Sequence, residues 1–74
     1  MRHEDLEFLL RRDPCPRLRL HMTSGEVFEI GDPDLVYFGR STVELLLPPS
    51  EQGEREAILN LLHIVWVEVL PPSG

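Results

Sequence analysis

The sequence predicts a mainly β domain: an N-terminal helix followed by a strongly bent five-stranded antiparallel sheet or small barrel. Three observations carry that prediction. Residues 3–12 have apolar side chains at helical spacing. After Pro14 and Pro16 the chain alternates apolar and polar residues with the two-residue period of a strand, most strictly in "RLRLHM" at 17–22. The later segments are short and separated by turn-forming glycine, proline, aspartate and serine. At 74 residues the chain has length for one domain over 1–74. A domain of that size buries only roughly 60% of the surface its unfolded chain exposes.

The helix comes first. Leu6, Leu9 and Leu10 recur at i, i+3 and i+4, with Phe8 bordering the stripe. Glu4, Asp5 and Glu7 lie toward its positive end and Arg11 and Arg12 toward its negative end. Pro14 and Pro16 stop it. A helix of about ten residues is marginal alone in water, so it must dock.

The strands follow over 17–70. Leu18, Leu20 and Met22 share one face of the first strand, and Arg17, Arg19 and His21 the other. "TSG" at 23–25 leads into "EVFEI" at 26–30. If Leu20 and Phe28 share the core face, the loop has three residues with Gly25 last, which suits a type I turn closed by a glycine bulge. That register also sets Arg19 opposite Glu29. "GDPD" at 31–34 is a turn, and "LVYF" at 35–38 can add a brief strand. "STVELLL" at 41–47 puts Val43, Leu45 and Leu47 on one face. "PPSEQGE" at 48–54 is expected as the longest polar loop. "REAILNLL" at 55–62 and "IVWVEVL" at 64–70 are the last two strands, with Ala57, Leu59 and Leu61, and Val65, Val67 and Val69, assigned to the core. Residues 71–74, "PPSG", read as a frayed tail.

This order of elements resembles the Sm-like fold, an SH3-like small barrel with an N-terminal helix and a tight turn before its last strand. In that family the last two strands of neighbouring subunits pair and build rings. In its bacterial RNA-chaperone branch a lysine–histidine pair between those strands lines a uridine pocket at the ring pore. His63 takes the histidine position, and Leu62 stands where the lysine would be. "STVELLL" supplies neither the aspartate nor the asparagine of the Sm1 signature, and the Sm2 arginine–glycine element has no counterpart. The run "LRLHMTSGEVFEI", with "DPD", "GRSTVELLLP" and "LLHIVWVE", also resembles a group of small uncharacterised bacterial proteins over residues 14–70, which implies no activity.

Composition narrows the function classes. Thirteen acids against seven arginines, with no lysine, give a net charge of −6. That balance argues against nucleic acid as the partner, because such binding rests on a basic footprint. Cys15 is the single cysteine, so no disulfide can form within the chain, and no Cys/His cluster has zinc spacing. The longest apolar stretch, "LNLLHIVWVEVL" at 59–70, is too short for a bilayer span of about 20 residues. The N-terminus lacks the basic region and apolar run of a signal peptide. The expectation is a soluble, cytoplasmic protein without cofactor, metal or membrane partner.

The candidate residues divide by chemistry. Arg17, Arg19 and His21 form a basic stripe that either meets an acidic or phosphate ligand or is an ordinary solvated face. His63 is either a base-stacking residue in a shared pore or a turn histidine bonded to backbone. The second reading is favoured, since no acid or cysteine lies in the six residues before it. Cys15 has no base nearby in sequence and reads as inert. Asp32, Asp34, Glu51, Glu54 and Glu56 do not match a calcium-loop spacing. No nucleophile has a base at a suggestive spacing, so no catalytic residue is assigned and the chain is read as no enzyme. Ile58, Leu62, Ile64 and Trp66 fall on the outward faces of the last two strands, and apolar surface of that kind marks an interface. The leading reading is a protein-interaction or self-assembling β module, forming a homo-oligomer through Trp66 and Ile64 or meeting another protein. The alternative is a ring-forming Sm-like RNA binder.

Overall fold

The alternating segment at 17–22 sits at the centre of a sheet. The computed structural model describes residues 1–72. In it α1 (His3–Leu10) precedes six strands, β1 (Arg17–Met22), β2 (Val27–Ile30), β3 (Val36–Phe38), β4 (Thr42–Ser50), β5 (Gly53–Asn60) and β6 (Ile64–Leu70). These form two three-stranded antiparallel sheets, ordered β2-β1-β6 and β3-β4-β5. The fold is mainly β, as expected, but the single five-stranded sheet is corrected. The split falls at 31–35. There Asp32 accepts a hydrogen bond from the Asp34 N–H at 2.9 Å and caps a short 3-10 helix, Pro33–Leu35. This turn separates β2 from β3, and the two do not pair. A second 3-10 helix, Leu61–His63, separates β5 from β6 in the same way. The sheets therefore do not close into a barrel.

The first hairpin follows the parity of its sequence. Leu20 pairs with Phe28 and Arg19 with Glu29. The Gly25 N–H donates to the Met22 carbonyl and the Met22 N–H to the Glu26 carbonyl, both at 3.0 Å. Gly25 closes the turn at φ +91°, a region L-residues avoid.

The expected loop at 48–54 is mostly strand. β4 runs on to Ser50, and β5 begins at Gly53. Two prolines fit there because β3 pairs with β4 only over Val43–Leu45. Beyond that point one side of β4 has no ladder to break. The ladder to β5 also shifts register between Leu47 and Ser50. The helix ends at Leu10 rather than residue 12, with Arg12 donating to Leu9 in a last tight turn before Pro14. Of the expected tail over 71–74, residues 73 and 74 lie outside the described residues.

One apolar cluster joins all these elements. Leu6 and Leu10 of α1 meet Leu18 and Leu20 of β1, Val43 and Leu45 of β4, and Leu59 and Leu61 at the end of β5. Ile30, Val36 and Ile64 complete it. A fully buried leucine or valine side chain contributes about 1.5–3 kcal/mol, so this cluster holds the two sheets and the helix together. Among the described residues no buried side-chain polar atom lacks a hydrogen-bond partner.

The placement of Ile64 corrects the sequence reading. His21 pairs with Trp66 but Met22 pairs with Ile64, so Val65 is an extra residue with no partner on β1. Such a bulge inverts the parity of everything before it. Ile64 is thereby turned into the core, and Val65, assigned to the core, is turned to solvent. Val67 packs against the cluster, whereas Val69 lies at the rim of the sheet and stays exposed.

Candidate functional site

The outer face of the β2-β1-β6 sheet carries most of the chemistry that the sequence singles out. β1 presents Arg17, Arg19 and His21 in its central lane. The registers place Glu29 of β2 on one side of Arg19 and Glu68 of β6 on the other. Arg19 reaches Glu29 at 3.6 Å and Glu68 at 3.8 Å, and Arg17 reaches Glu29 at 3.6 Å. The Arg17 Nε–H also donates to the Pro71 carbonyl at 3.0 Å. Exposed pairs of this kind stabilise by about 0–1 kcal/mol at most. Their consequence is electrostatic: the basic stripe is matched by acids on both neighbouring strands.

His21 belongs to the same network. Its Nε2 lies 3.2 Å from a Glu68 carboxylate oxygen. Its ring stacks on the Trp66 indole, with centroids 3.9 Å apart and planes 8° from parallel. The stack is a cross-strand pair, since His21 and Trp66 are directly opposed. One indole face is covered from the β1 side. The other looks toward the free edge of the sheet, because β6 is the outermost strand.

Apolar side chains are exposed at this edge and elsewhere on the molecule. Trp66 is 51% exposed, Val65 62%, Leu62 76% and Ile58 60%, whereas Ile64 is only 8% exposed. Three of the four expected surface residues are therefore exposed, and Val65 replaces Ile64 among them. The sequence carries no clear sign of that exchange, because a bulge leaves composition and alternation intact. Leu62 protrudes from the 3-10 helix; its N–H donates to the Asn60 Oδ1 at 2.9 Å, and the Leu61 N–H donates to the Ser41 carbonyl at 2.9 Å. Ile58 stands on the outer face of the other sheet, opposite Glu44. The helix covers none of this. Its Phe8 points to solvent, and only Leu6 and Leu10 are buried.

His63 is a turn residue held by the tip of the first hairpin. Its carbonyl accepts from the Thr23 N–H at 2.8 Å, and its Nδ1 lies 3.4 Å from the Thr23 hydroxyl. It rims a shallow groove with Met22, Phe28, Ala57 and Asn60. His63 lies apart from the stripe of Arg17, Arg19 and His21: no hydrogen bond or ion pair joins them among the described residues.

The remaining candidates carry little chemistry. Burial pushes the Cys15 thiol up, and the Asp32 carboxylate adds to the shift; the thiol's polar contact is the Pro16 carbonyl at 3.5 Å. A raised thiol holds less thiolate, the reactive form. Among the described residues no group of three or more His, Cys, Asp or Glu is placed to hold a metal ion, and no helix is long and apolar enough to cross a membrane. No protein-family model, curated protein or solved structure matches the chain.

Proposed function

We propose that the chain is a non-enzymatic interaction module that works by self-association through the β6 edge and the apolar residues beside it. The observation that carries this reading is the placement of Val65 and Trp66, exposed and next to each other, on a strand whose outer hydrogen-bonding side is free. An unpaired strand edge is a template for another chain, and tryptophan is a favoured interface anchor. Leu62 and Ile58 are further exposed apolar residues, outside β6. In a domain that buries only roughly 60% of its unfolded surface, association stabilises the fold as well.

The alternative is an Sm-like, ring-forming RNA binder. Pairing of the first strand with the last, and a histidine in the tight turn before the last strand, favour it. The acid partners of Arg17 and Arg19 weigh against it.

Sedimentation velocity tests the first reading. At about 100 μM, where mass action favours association, the wild-type chain is expected to sediment as a dimer or larger. Trp66→Glu should lower the mass while circular dichroism still reports a folded chain. A monomeric wild type at that concentration overturns the proposal. Binding of a uridine-rich oligonucleotide at physiological salt would favour the alternative instead.

A further inference from the structure

We infer that the partner at the β6 edge is the β6 of a second copy, paired antiparallel about a two-fold axis at Val67. This inference rests on the self-association reading and adds the occupant, the symmetry and the register.

The four strands at sheet edges are not equivalent. β2 has four residues and β3 three, too short for a stable ladder. β5 has eight, but it begins with Glu54, Arg55 and Glu56, and charged edges resist pairing. β6 has seven residues and one charge, Glu68. Its ladder to β1 is regular from Trp66 to Leu70, since the bulge at Val65 falls near its start. β6 is therefore the edge strand longer than four residues that carries a single charge.

Register follows from face and charge. Directly opposed residues of an antiparallel pair share a face, so Trp66 and Glu68, both on the outer face, must oppose residues of that face. Centring on Glu68 would set two glutamates against each other, which is unfavourable. Centring on Val67 sets Glu68 opposite Trp66 of the other copy. Each Glu68 then keeps its own Arg19 and His21. The two tryptophans become diagonal neighbours across the axis, roughly 7–8 Å apart and within reach of aromatic side chains. Their faces not covered by His21 are the ones that look across the edge. A head-to-tail contact of β6 with a neighbour's β5 fits less well. The register that brings Ile58 opposite Trp66 also brings Glu56 opposite Glu68.

Cysteine cross-linking reads the register directly. Opposed Cα atoms lie about 4.5–5.5 Å apart, within the usual disulfide span of about 4.4–6.8 Å. In a Cys15→Ser background, Val67→Cys should form a covalent dimer on mild oxidation. Glu68→Cys alone should not. Preferential cross-linking of Glu68→Cys overturns the register. Hydrogen exchange on the unmodified chain provides a second measurement. From dilute to concentrated protein, the β6 amides should slow by roughly tenfold or more while the β5 amides do not. Protection of both strands would indicate the head-to-tail contact and overturn the two-fold pairing. A dimer by sedimentation with neither cross-link nor β6 protection leaves self-association standing and removes this contact. A monomer removes both.

Discussion

Trp66 holds its position through two neighbours on one strand face: His21 beneath the indole, and Glu68 bonded to that histidine. No pocket is needed to fix it, because direct opposition across the β1–β6 ladder does so. Gly25 is the opposite case, a residue defined by backbone alone. A Cβ added there would meet nothing within 4 Å, yet φ is +91°. The cost of Gly25→Val is therefore conformational rather than steric contact, and it should exceed about 1 kcal/mol. An unchanged urea midpoint would remove the turn. At Cys15, burial and the Asp32 carboxylate hold the thiol protonated at neutral pH. Its alkylation by iodoacetamide at neutral pH should be slower than that of free cysteine, and it should accelerate in denaturant. Equal rates in the folded and unfolded chain would contradict that assignment.

At the scale of elements, β6 turns on one inserted residue. If Val65 is a bulge and Ile64 faces the core, Ile64→Ala should destabilise by about 2–5 kcal/mol. Val65→Ala should cost less than about 1 kcal/mol. The measurement is urea unfolding at low protein concentration, where association contributes little. Plain alternation along the strand would give the reverse order. This is also where sequence reading reaches its limit. The hairpin at 17–30 was legible to the residue, because alternation on both sides and one glycine leave a single register. The helix and the exposure of Ile58, Leu62 and Trp66 were legible for the same reason, a clear period against polar neighbours. The bulge was not, since "IVWV" is apolar at every position and carries no phase. The break between the two sheets was also hidden. A turn that caps a 3-10 helix with Asp32 looks like any "GDPD" turn, and pairing between strands is a long-range property. At 48–50 the prolines suggested a loop, but proline is excluded only where a ladder needs its N–H.

For the whole molecule, charge and size point the same way. A net charge of −6 spread over 74 residues keeps the chain dispersed except where surface is apolar. The outer face of the β2-β1-β6 sheet offers such places at both rims, Val27 on β2 and the larger one at Val65 and Trp66 on β6. Its centre is a set of matched ion pairs, and its largest exposed apolar side chain, Trp66, stands on the β6 rim. If that rim is covered by a second copy, folding and association are linked. Ligation by a partner raises stability by RT ln(1 + [L]/Kd), about 2.7 kcal/mol when the partner stands at 100 times Kd. In a domain of 60–100 residues, 1 kcal/mol shifts Tm by roughly 4–8 °C. The melting temperature of the wild-type chain should therefore climb by several degrees between dilute and concentrated samples. Trp66→Glu should melt at a lower temperature that does not depend on concentration, because a carboxylate at the rim repels the partner's Glu68. The comparison separates two ways of losing stability. If Trp66 served only its own fold by stacking on His21, both proteins would melt independently of concentration, and the variant would be lower by a constant offset. A concentration-independent wild type would thus show that the β6 edge faces water in the working protein.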